Sequence, residues 1–263
     1  MFQLKNVIVC CTLLIVTSLS AADQNTVLLP LGVFTTSGAF GSLWQTELAV
    51  KNASGAAVEI DHVGITCVVT CPFPPLELSP GKAGTIKNEV VNDTALGSSS
   101  GILMHVTSRD LVSADDVRFN FRVRDLSRET VGLGTELPVV RMDQFREAVH
   151  LLNIPVSPMF RVTLRMYAVT DNNVPVPVVL RIFDFATGEK LVEQSISLSR
   201  SVGQSPTWFP AFAQIDSPSG SFLGLTASRV NVEVAAVQSK QNVWAFASVT
   251  NNESQQITTI TPQ

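Results

Sequence analysis

The chain has 263 residues, a formal net charge of −4, 45% hydrophobic residues and only 15% charged ones. That length and apolar share can bury a core in one large domain or two ordinary ones. The sparse, slightly acidic charge excludes a disordered polyelectrolyte and an electrostatic nucleic-acid binder.

Residues 1–22, MFQLKNVIVCCTLLIVTSLSAA, set Lys5 before an apolar run from Val7 to Leu19, with small residues Ser20 and Ala22 ahead of Asp23. This is the pattern of a secretory signal peptide cleaved after Ala22. The run of 13 residues is shorter than the ~20 that a spanning helix needs. Cleavage removes Lys5, Cys10 and Cys11 and leaves 17 basic against 22 acidic side chains. The mature chain is expected to be secreted, periplasmic or at the cell surface, with no transmembrane segment.

Beyond the leader, short strands follow one another. WQTELAV, residues 44–50, alternates, so that Trp44, Thr46, Leu48 and Val50 share a face. CVVTC then carries the two remaining cysteines, Cys67 and Cys71. In an exported chain such a pair reads as a disulfide. Four steps of extended chain span about 13 Å, and a disulfide tolerates a Cα separation of at most about 7 Å. The segment must therefore bend, and Pro72, Pro74 and Pro75 fit a strand that ends there. Zinc needs about four ligands, and only His62 stands near. A redox pair favours two intervening residues and a helix start, where this chain has three after a β-branched run. No metal and no cofactor is expected.

GSSSG, residues 97–101, fits a nucleophile-elbow spacing around Ser99. An elbow needs a strand before the serine and a helix after it. Here a turn-like segment precedes and the strand-like ILMHVT, with His105, follows, so a loop is expected. VRFNFRVR, residues 117–124, alternates strictly. Val117, Phe119, Phe121 and Val123 point one way, while Arg118, Arg122 and Arg124 point the other. This arginine row, with Arg128 beyond it, is a candidate recognition stripe for an acidic glycan or protein. Its plainer reading is a solvated face with acids across the strands.

DLSRETVGLGTELP, residues 125–138, reads as a junction. MDQFREAVHLLN, residues 142–153, spaces Phe145, Val149 and Leu152 as a helix would, and it suits the entry to a strand equally. The segments beginning at Phe160, Val176, Arg229 and Val243 alternate again, separated by Gly, Pro, Asn and Ser clusters. Trp208, between prolines in SPTWFP, is the best candidate for an exposed aromatic, whereas Trp44 and Trp244 suit cores. The DNN run at 171–173 and the ADD run at 114–116 read as turns rather than calcium loops. Asn52, Asn92 and Asn252 lie in N-x-S/T triplets that would accept glycans in a eukaryotic host.

The chain also repeats itself. Leu29-Pro30 recurs at Leu137-Pro138, WQTELAV from Trp44 matches FRVTLRM from Phe160, and VRFNFRVRD from Val117 matches VWAFASVTN from Val243. The offsets are 108, 116 and 126 residues. They increase along the chain, as insertions in a second copy would make them. The ends GSLWQTELAVKN and VWAFASVTNNESQQITTITPQ resemble exported bacterial proteins built from tandem immunoglobulin-like β-sandwich domains. The resemblance covers both ends well and the middle loosely. It implies fold and export, and it brings no activity or site residue.

The sequence therefore predicts an all-β chain: a signal peptide over 1–22, then immunoglobulin-like antiparallel sandwiches over 23–135 and 136–263. The function it points to is a non-catalytic structural, adhesive or binding module whose partner is a protein or glycan of the cell envelope. Its candidate surface is Arg118, Arg122, Arg124 and Trp208. A secreted hydrolase would instead show a deep pocket with a carboxylate pair, or His105 beside Ser99. A periplasmic chaperone or assembly subunit would show an exposed sheet edge or a groove between domains.

Overall fold

The computed structural model describes residues 25–32, 35–37, 43–61, 75–87, 100–108, 110, 112–127, 134–200, 210–217 and 222–263. The signal peptide, Cys67, Cys71, Ser99, Arg128, Asn92 and Trp208 lie outside them. The first ten strands are β1 (Thr26–Leu29), β2 (Thr35–Ser37), β3 (Leu43–Asn52), β4 (Val58–Asp61), β5 (Leu76–Leu78), β6 (Ala83–Lys87), β7 (Ile102–Thr107), β8 (Val117–Asp125), β9 (Thr135–Leu137) and β10 (Val140–Arg141). The remaining eight are β11 (Ala148–Pro155), β12 (Phe160–Ala168), β13 (Val176–Asp184), β14 (Lys190–Leu198), β15 (Ala211–Asp216), β16 (Arg229–Ala236), β17 (Val243–Asn251) and β18 (Ile257–Ile260). The architecture is all-β, with antiparallel pairing throughout, as the alternation predicts.

Four sheets form two sandwiches. In the first, β10-β1-β7-β4-β5 faces β2-β3-β8-β9, with β6 also paired to β3. In the second, β11-β16-β13-β14 faces β15-β12-β17-β18. Inward-facing residues of each pair of sheets make a separate core: Leu48, Val50, Ile60 and Phe121 in the first, and Leu164, Met166, Leu180 and Val232 in the second.

Apart from β2 and β10, the two sandwiches have the same strand order. The pairing register repeats as well. Trp44 lies opposite Asp125 and Asn52 opposite Val117; Phe160 lies opposite Asn251 and Ala168 opposite Val243. The matched segments at Trp44 and Phe160, and at Val117 and Val243, thus occupy equivalent strands in equivalent register. The Leu-Pro match does not. Leu29 is in β1, beside β7, while Leu137 is in β9, beside β8 in the other sheet. Leu-Pro marks strand ends generally, because proline cannot donate to a ladder.

The strand order is not the immunoglobulin one, in which the first, second, fifth and fourth strands share a sheet. Here β11, the first strand of its sandwich, shares a sheet with the sixth, third and fourth. The expected boundary at 135/136 falls inside β9, which pairs with β8, and β10 pairs with β1. The sheets of the first sandwich therefore reach Arg141. The 142–153 segment is a short 3-10 turn, Met142–Gln144, running into β11. Val149 and Leu151 are buried while His150 and Leu152 are exposed, so the period there is two, up to the bulge between Leu151 and Ile154. Phe145 packs into the first core.

An aromatic cluster joins the sandwiches. Tyr167 on β12, with Trp244 and Phe246 on β17, points away from the second core and belongs to the buried cluster of the first. Ring centroids lie 5.9 Å apart for Tyr167–Trp244 and 5.5 Å for Trp244–Phe246, and Phe212 on β15 stands 5.4 Å from Tyr167. The Tyr167 hydroxyl donates to the Pro30 carbonyl at 2.6 Å in a buried position. Val27, Leu28 and Leu29 have no exposed surface, so both faces of β1 are covered. Beside the junction, Thr135 Oγ1 donates to the Ile257 carbonyl and Thr259 Oγ1 to the Glu136 carbonyl. Gly101, at φ +76°, brings β7 under β1; a Cβ there would meet the Leu29 carbonyl at 2.7 Å.

Truncating the junction should be costly. Trp244→Ala is expected to lower unfolding free energy by about 3–5 kcal/mol through the cavity it leaves. Tyr167→Phe, which strands a buried carbonyl, should lower it by about 1–3 kcal/mol. The shift in urea midpoint at constant slope reads both.

Candidate functional site

The candidate surface is the outer face of β2-β3-β8-β9. Strand alternation turns Arg118, Asn120, Arg122 and Arg124 of β8 away from the core. Lys51, Ala49, Glu47 and Gln45 of β3 lie opposite them in that order, and Glu136 of β9 flanks Arg122 on the other side. Arg122 stands 4.0 Å from Glu136, and Arg124 stands 3.8 Å from Glu47 on the diagonal. Arg122 Nε donates to Asn120 Oδ1 at 2.6 Å. The Arg124 guanidinium reaches Gln45 Oε1 at 3.5 Å. At the far end Arg118 faces Lys51, a like charge, while Arg141 pairs with Asp115 at 3.4 Å. The row is thus a mixed ladder with cross-strand acids along half its length and a basic end at Arg118 and Lys51.

Other candidates resolve into structure. Asn172 Oδ1 accepts from the Val174 backbone, and Arg200 donates to the carbonyls of Thr170 and Asn172. That makes the DNN run a braced turn. In the ADD run the Asp115 N–H is held by Ser113 Oγ. His105 shares a hydrogen bond with Thr26 Oγ1 at 3.0 Å and lies opposite Asp61 across the ladder. His150 is exposed on β11.

Glu59 and Glu77 are directly opposed on β4 and β5. They line an open groove of about 570 Å³ with Thr107, Ser108 and Asp110. Glu77 and Asp110 are exposed, so the groove lacks the enclosed surroundings in which paired carboxylates divide into acid and base. Among the described residues no three His, Cys, Asp or Glu side chains group as metal ligands. No helix among them is long and apolar enough to cross a membrane.

Asn52 is not a surface asparagine. It has no exposed surface. Its Nδ2 donates to the carbonyls of Ala56 and Leu78 at 2.7 and 2.9 Å, and its Oδ1 accepts from the Ser54 amide and hydroxyl. The triplet at 52–54 is a turn-and-strand clamp with no room for a glycan. Asn252 is half-buried, and its side chain donates to the Pro158 carbonyl.

The functional group that sequence reading missed is Tyr167. Burial pushes its hydroxyl well above the ordinary tyrosine range, against the opposing pull of Arg165. The signal lies in register: Arg161, Thr163, Arg165 and Tyr167 share the water-facing side of β12, and Trp244 and Phe246 share that of β17.

No protein-family model matches the sequence, and a search of curated proteins finds no match to it.

Two substitutions separate clamp from ladder. Asn52→Ala should destabilise by about 1–3 kcal/mol, because it leaves buried carbonyls unpaired. Arg124→Ala should change stability by less than about 1 kcal/mol, as exposed ion pairs do. Denaturant titration of both, side by side, checks the contrast.

Proposed function

We propose that this chain is an exported, non-catalytic structural or adhesive module. In this reading it binds a protein or glycan of the cell envelope on the outer face of the first sandwich and uses the second as a rigid support. The observation that carries the reading is the junction. Tyr167, Trp244 and Phe246 are buried in the core cluster of the first sandwich, and the Tyr167 hydroxyl is tied to Pro30. Two sandwiches fixed in this way present one face at a constant angle, which suits display and load-bearing rather than closure over a substrate. The open charged ladder of Arg118, Arg122 and Arg124 supports recognition of an acidic partner, and Trp208 is assigned to the same function from its sequence context. Export rests on the leader at 1–22, and the Cys67–Cys71 disulfide on the oxidising compartment that export implies.

Intact mass of the protein from fractionated cells and medium, with and without reductant, tests export. The reading expects a chain starting at Asp23, lighter by two hydrogens until reduced. A full-length cytoplasmic chain with free thiols contradicts it. Heparin, as a generic acidic glycan, tests the face. Replacing Arg118, Arg122 and Arg124 together by alanine should advance elution to distinctly lower salt. Unchanged elution would remove the row from the binding surface.

A further inference from the structure

We propose that two copies of this chain join edge to edge through β14, about a two-fold axis at Gln194. Among the described residues β14 ends its sheet and pairs on one side only, with β13. The Pro177 carbonyl accepts from the Val237 amide, so Pro177, Val179 and Arg181 turn their backbone groups toward β16. The residues between them face β14 and occupy Leu198, Ile196, Gln194 and Val192. Glu193, Ser195 and Ser197 therefore direct their N–H and C=O groups outward. Among the described residues nothing bonds them.

Such edges invite pairing, and proteins usually protect them. Five of the other edges are protected. β2, β5 and β10 have two or three residues each. β11 is bulged between Leu151 and Ile154, with Asn153 at φ 60°, and the Gln263 amide caps it at the His150 carbonyl. The outer edge of β15 is closed at Phe212, which exchanges two backbone hydrogen bonds with Ser199. β14 runs nine residues without proline, and its only irregularity is at its start, beside Leu191. Its one acid, Glu193, is already paired with Arg181 and Lys190.

The strand is complementary to itself in one antiparallel register. With the axis at Gln194, Glu193 of one copy meets Ser195 of the other. Val192 meets Ile196 on the face that packs against the second core. Moving the axis to Glu193 opposes two glutamates. Moving it to Ser195 sets Gln194 against Ile196 and asks Ser199, already bonded to Phe212, to pair again. In the favoured register two four-stranded sheets become one continuous sheet, and like faces stay on the same side.

Sedimentation equilibrium of the mature chain tests this. The wild-type protein should be a dimer. Ser195 is exposed, so charge placed there leaves the fold intact, which circular dichroism verifies. Ser195→Glu sets a second acid against Glu193 twice per dimer and should weaken association about tenfold. Ser195→Lys should hold or strengthen it. A wild-type monomer at every concentration up to about 100 μM overturns the proposal. So does a dimer whose affinity moves in the same direction, or not at all, with both charges.

Discussion

Aromatic side chains in the water-facing register of a sheet must be covered, and the arrangement of this molecule follows from that constraint. Tyr167, Trp244 and Phe246 stand on the outer side of β12 and β17. Left in water, each would expose apolar surface whose burial is worth about 1.5–3 kcal/mol. The first sandwich covers them within its own core cluster, which includes Val27, Leu28 and Leu29 of the fully buried β1. A buried tyrosine also needs an acceptor, and the Pro30 carbonyl just past β1 supplies it. Hydrophobic burial gives the junction its strength, and the hydroxyl fixes its position.

The repeat makes the same point from the other side. Register equivalence places Arg118 and Asn120 of β8 where β17 carries Trp244 and Phe246. One sandwich has an outer face built for burial, and the other has the same face built for water. The junction therefore closes after one contact, since the charged ladder cannot serve as a second docking face. What remains open is a mixed-charge surface on one sandwich and the free edge of β14 on the other. The recognition reading rests on the first and the self-association reading on the second.

Much of this was legible in the sequence. Strict alternation in VRFNFRVR gave β8, its core face and its arginine row, and the plainer expectation of acids across the strands is met by Glu47 and Glu136. The matches at Trp44 and Val117 found equivalent strands because alternation preserves register. Other features were hidden for physical reasons. Phe145 and Val149 are spaced as on a helix, yet they serve different cores, which one-dimensional periodicity cannot distinguish. Asn52 looks like a surface triplet because burial depends on Leu78, which is distant in sequence. The strand order, which departs from the immunoglobulin one, depends on which strands cross between sheets, and alternation within a strand carries no trace of that.

Tyr167 is the only tyrosine in the chain, so tyrosinate absorbance reports the junction alone. Burial raises its folded-state pKa above the unfolded value, which is about 10. The stability it lends is complete below that value and is lost as pH rises beyond it. In an alkaline titration the account predicts no tyrosinate signal through pH ~10 while the protein stays folded, and then its appearance together with loss of β-sheet circular dichroism. Reversible ionisation near the free-tyrosine value in the folded protein would mean that the hydroxyl meets water, and the buried junction would be contradicted.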